Sequence, residues 1–213
     1  MSNLSDQFAK GALCTLDDVA KRVPGYDPGD DQLLDETLDD LILRESADFQ
    51  EATGREILPM NDDTARTFDI TVSVLTRRSM RIGDVAAVTA VELFDIDGAT
   101  SLGQLQASQY VLLPRARRSW QPLRRITFPY RPGTVLSLRC GGTIVITGTF
   151  GFPEIPVTVR QSVATMVVVR YLNDAAFAGT PFAELANRDE FNMSAAIRVA
   201  MDARDRLAGP AFA

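Results

Sequence analysis

The sequence predicts an α+β protein: a helical bundle with an inserted antiparallel β subdomain. Three observations carry this expectation. Residues 30–54 place apolar side chains at helical spacing. Between about 64 and 150 the apolar period becomes two, with Gly- and Pro-rich separators. After Pro156 the helical period returns. The 213 residues suit a single domain. Its helical part is 13–63 plus 153–208, and its β part is 64–152.

The first helix is expected over 15–23, "TLDDVAKRV". Thr15 caps it, and Asp18 brings a carboxylate to its positive end. Pro24 and Gly25 end it. The clearest helix follows in "DDQLLDETLDDLILRESADFQEATG". Leu34, Leu38, Leu41, Ile42, Phe49 and Ala52 form its apolar stripe. Asp30 or Asp31 caps its start, and Asp35, Glu36, Asp39, Asp40 and Asp48 occupy other faces. Gly54 suits the left-handed position beyond its end. Arg55 and Glu56 read as a local surface pair at the turn into the β part.

The strands expected are "TARTFDITV", "AVTAVELFDIDG", "SQYVLLP", "LRRITFP", "TVLSLRC" and "GTIVITGTFG", within a total of five to seven. "DIDGATSLG", "PYRPG" and "CGG" separate them as turns. Pro156 then suits the first turn of a helix over 157–177. There Val159, Val163, Met166, Val167 and Tyr171 share one face, and Val168, Val169 and Leu172 widen it. Such a helix is buried on more than one side, within the fold or against another copy. Residues 180–192 read as a loop. A last helix over 193–209 carries Met193, Ile197, Ala200, Met201 and Leu207 on one stripe.

Composition narrows the chemistry. The net charge is −6 and the hydrophobic fraction 46%, which fits a globular chain. Charge is unevenly spread: residues 1–63 hold 16 acidic and 5 basic side chains, and 64–152 hold 5 acidic and 11 basic. Such segregation suits association between complementary surfaces. With no histidine, His-based triads, metal sites and acid–base chemistry are excluded. Cys14 and Cys140 make neither a disulfide framework nor a metal cluster, and both read as small packing residues in a reducing compartment. The start lacks a signal-peptide pattern, and the longest apolar run, 163–169, is too short to span a bilayer. The expectation is a soluble, cytoplasmic protein with no membrane partner.

No motif supplies a cofactor or catalytic site. Counted from Asp27, a calcium loop would need glycine at position 32 and glutamate at 38, where Gln32 and Leu38 stand. The acids at 35, 36, 39 and 40 lack a nucleophile or phosphate loop beside them, and read first as a solvated face. The glycines at 141–142 and 148–151 lack a phosphate-loop pattern. The one unusual basic stretch is "PRARRSWQPLRR", with Arg115, Arg117, Arg118, Arg124 and Arg125 around Trp120. It suits an acidic partner surface, or DNA passing without sequence preference, and equally a plain exposed loop.

Taken in order, these segments resemble the head–tail connector, or adaptor, proteins of long-tailed bacteriophages and related gene-transfer particles. The residues that carry the resemblance are the "TLDDV" start, Thr53–Gly54–Arg55 with Ile57, and "TGTFGFPEIP" with Phe152 and Ile155–Pro156. "SQYVLLP" followed by the arginine loop with Trp120 adds to it. The resemblance spans about residues 13–175. It departs from the family in a longer β segment and in the last 35 residues, which match only as a terminal helix.

The resemblance implies a non-enzymatic virion protein without cofactors. Such proteins form a ring, usually of twelve copies, below the portal. The ring extends the DNA channel and offers a platform to the stopper or tail-completion protein. It implies a place at the head–tail interface of the virion, reached from the host cytoplasm during assembly. Candidate interface or channel residues are Asp35, Asp39 and Asp40, with the acidic helix facing the lumen, the arginine loop with Trp120, and Ile197, Met201 and Leu207. The alternatives are another head-completion or tail-terminator protein and, with least support, a carboxylate-dependent hydrolase.

Overall fold

The computed structural model describes residues 11–23, 25–58, 62–130 and 138–173. They fall into two compact units, one built from residues up to Leu58 and from Ile155 onward, the other within Pro59–Glu154. The first is helical and the second is an antiparallel sheet, so the fold is the α+β arrangement expected from the sequence.

In the helical unit, α1 spans Leu16–Ala20, with Thr15 as N-cap in a reciprocal capping box with Asp18. It ends at Lys21, earlier than the expected 23. Helix α2 spans Gln32–Thr53. Asp31 caps it, its carboxylate accepting from the Leu33 and Leu34 amides, and Gly54 ends it at φ 60°. Leu34, Leu38, Ile42 and Phe49 of the expected stripe are buried, whereas Leu41 is half-buried and Ala52 exposed. Glu45 and Ser46 are buried in its place, and the Ser46 hydroxyl accepts from the Leu13 amide at 2.9 Å.

Beyond Gly54 the Gln50 side chain accepts from the amides of Ile57 (3.1 Å) and Leu58 (3.4 Å), and Ile57 is fully buried. The last described helix, here called α4, is Val157–Asn173. It starts one residue after Pro156, whose carbonyl accepts from Val159 and Arg160. Val159, Val163, Val167, Val168, Val169, Tyr171 and Leu172 are buried and Met166 is half-buried, so the broad apolar face packs within the helical unit against α1 and α2.

The β unit orders its strands β1-β6-β2-β5-β4, with β3 paired to β2. The strands are β1 Thr64–Asp69, β2 Ser79–Phe94, β3 Ser101–Gln104, β4 Val111–Leu113, β5 Leu123–Thr127 and β6 Thr143–Phe150. All pairings are antiparallel. The core gathers Ile82, Val91, Ile126, Phe128, Ile144, Ile146 and Phe150.

The β unit departs from the sequence reading at several elements. Ile70–Val72 do not extend β1, because Thr71 caps a short helix α3, Val72–Arg77. Strand β2 begins eight residues before the expected Ala87. "SLG", read as part of a turn, belongs to β3. Leu138–Cys140 form no strand, and the rest of "TVLSLRC" lies outside the described residues. So do the loop at 180–192 and the terminal helix.

Candidate interaction surfaces

The acidic residues of α2 divide by role. Asp35 ties down the preceding loop: its carboxylate accepts from the Tyr26 hydroxyl at 2.5 Å and from the Gly29 amide at 2.7 Å. Burial, then the Asp35 hydrogen bond, pushes the Tyr26 phenol far above its ordinary range. Asp35 and Asp39 are half-buried and Asp40 is exposed. The outward face of α2 is carried by Glu36, Asp40, Asp48 and Glu51, with Arg44 among them.

The arginine loop between β4 and β5 is held by specific bonds. The Arg117 guanidinium donates to the carbonyls of Ala86 (3.2 Å) and Gln121 (3.3 Å). The Gln121 side chain accepts from the Arg118 amide, and the Ser119 hydroxyl donates to Glu154 at 3.1 Å. Arg118 lies 5.9 Å from the Trp120 ring centre, and Trp120 is half-buried. Arg124 faces the buried Asp84 at 3.5 Å. The guanidiniums of Arg117 and Arg124 are therefore occupied within the β unit, while Arg115, Arg118 and Arg125 are exposed. Sequence reasoning missed Arg81, which stands opposite Arg125 across the β2–β5 ladder. Only the register of a bulged strand reveals that pairing.

Ile197, Met201 and Leu207 lie outside the described residues. Cys14 is buried as expected, and burial, with Asp18 adding, pushes its thiol far above the ordinary range. Cys140, expected to be a packing residue, is instead exposed in the turn before β6. Its neighbours Gly141 and Gly142 leave it no apolar strand face to join. Among the described residues, no group of three or more acidic or cysteine side chains could hold a metal ion. None of the described helices is long and apolar enough to cross a membrane.

No protein-family model matches the chain, and no curated protein does. Solved structures contain similar chains, among them two of gene transfer agent particles. One is a virion of a native gene transfer agent particle, at 21% identity, covering 83% of this chain and 87% of that one, with a TM-score of 0.48. The other is the neck of an empty gene transfer agent particle computed with C6 symmetry, at 19% identity, covering 86% and 90%, also with a TM-score of 0.48.

Ion pairs tie α4 to α1 and α2 inside the helical unit. Arg160 of α4 donates to Asp18 of α1 at 2.8 Å, and Lys21 adds a contact at 3.3 Å. Burial alone would raise the Asp18 pKa, but Arg160 and Lys21 outweigh it and hold the carboxyl below its ordinary range. Arg170 of α4 stands 3.5 Å from the buried Glu45 of α2, whose Oε1 has no hydrogen-bond partner. An ion pair by itself would lower the Glu45 pKa. Here the contact is long and unbonded, so burial prevails and pushes the pKa up.

Proposed function

We propose that this chain is a structural subunit of a phage-type head–tail junction. In this reading it is an adaptor that assembles, as twelve copies, into a ring below the portal. The ring continues the channel for double-stranded DNA, read without sequence preference, and offers a platform to the stopper or tail. The observation that carries the proposal is where the connector-like motifs fall in the fold. Thr53–Gly54–Arg55 with buried Ile57 stands where the chain leaves the helical unit, and "TFGFPEIP" stands where it returns. Both are junctions that any subunit of this plan must build. Glycine at φ 60° ends the helix at one, and a proline carbonyl starts a helix at the other.

The test mixes the purified protein with the portal protein encoded in the same genome. Sizing with light scattering and electron microscopy should reveal a ring of added mass on one end of the portal, and its copy number. Two folded partners that do not bind would overturn the proposal in favour of another head-completion or tail-terminator role.

A further inference from the structure

Arg81 of β2 and Arg125 of β5 are directly opposed in the antiparallel register. Opposed residues share one face of the sheet, with Cβ atoms about 5 Å apart, and like charges there are destabilising. Both arginines are exposed, and neither forms an ion pair among the described residues. Leu113 faces Arg125 from the other side, so the loop carrying Arg115 and Arg118 begins beside this pair. A lone subunit thus keeps a repulsive cationic pair beside the start of a loop that carries two further exposed arginines.

Helix α2 presents the complementary arrangement. Glu36 and Asp40 are exposed and four residues apart, which places their Cβ atoms about 6 Å apart on one face. They too are a like-charged pair, and their spacing matches that of the arginines. We infer that the Arg81–Arg125 pair receives the Glu36–Asp40 pair of a second copy, joining the β unit of one subunit to the helical unit of the next. Two different surfaces joined in this way make a head-to-tail contact, the kind that generates rings. The inference rests on the ring reading proposed above. It assigns the exposed acids of α2 to a joint between copies, not to a channel wall.

Self-association of the full chain tests it without any portal, so failure here and failure of the portal experiment are separable. Sedimentation at low ionic strength should detect association that 0.5 M salt weakens, as screening requires. Arg81→Glu should weaken it at least tenfold while raising the thermal midpoint by about 1–3 °C, because a repulsive cross-strand pair becomes attractive. R81E/R125E and E36R/D40R should each fail to self-associate, yet associate when mixed. The inference is overturned if the wild-type chain does not self-associate or if the reversals leave association unchanged. It is also overturned if R81E/R125E removes binding of a short DNA duplex but not self-association, which would make the pair a phosphate contact.

Discussion

Asp18 and Glu45 are buried carboxylates one helix apart in the chain, and they answer to pH in opposite directions. The Asp18 pKa is lowered on folding, so its stabilisation is present above the ordinary aspartate value and is lost as pH falls through the folded value. The Glu45 pKa is raised, so its contribution is most favourable below the ordinary glutamate value of 4.5 and is lost as pH rises through the folded value. Glu45→Gln should therefore be more stable than the wild type at pH 7 in urea unfolding, with the difference vanishing near pH 4. Asp18→Ala should cost about 2–4 kcal/mol at pH 7, because it strands Arg160 and removes half of a capping box. Equal pH profiles for wild type and Glu45→Gln would show that burial does not govern this carboxylate. Neither role was legible in the sequence. A glutamate on an acidic helix gives no sign that Arg170, 125 positions later, lies against it.

Elements were legible where one face is buried and the ends carry their own chemistry. Helix α2 has both: an apolar stripe, a capping aspartate and a terminal glycine. Strand β6 alternates half-buried and buried residues along its whole length. Strand β2 was read too short because its register shifts between Arg81 and Val85, which breaks the alternation just where Gly83 and Asp84 stand. All four residues of β3 are exposed, so no apolar period marks it. Two glycines separate conformational need from spatial need. At Gly54 a Cβ would meet nothing within 4 Å, but φ is 60°. At Gly148, where β6 crosses β2, a Cβ would fall 2.2 Å from the Ala87 carbonyl oxygen. Gly54→Ala should cost about 1 kcal/mol, and Gly54→Asn less. Gly148→Ala should cost roughly 3 kcal/mol or more, since backbone must move to admit it. Chemical denaturation of the variants measures both, and equal costs would refute the distinction.

At the scale of the whole molecule, the sequence disclosed the insertion through its change of period from helix to strand and back. The two ends of the β unit come together inside the sheet. β1 opens the unit and β6 closes it, and the two strands are neighbours with Thr64 facing Gly148. Antiparallel neighbours stand about 5 Å apart, so the chain enters and leaves the sheet at nearly one place. An insertion of that kind needs no other part of the chain to close its sheet. It also has a core of its own, from Ile70 to Phe150 in sequence. Residues 62–154 expressed alone should therefore fold, giving a cooperative urea transition and a β-type circular dichroism spectrum. The excised unit should retain the Asp84–Arg124 contact and the opposed Arg81–Arg125 pair, because both members of each pair lie within it. It would then serve as the basic half of the proposed joint, binding E36-and-D40-bearing full chain but not E36R/D40R. An unfolded fragment would mean that the sheet depends on the helical unit, and that the division into two units describes packing without independent stability.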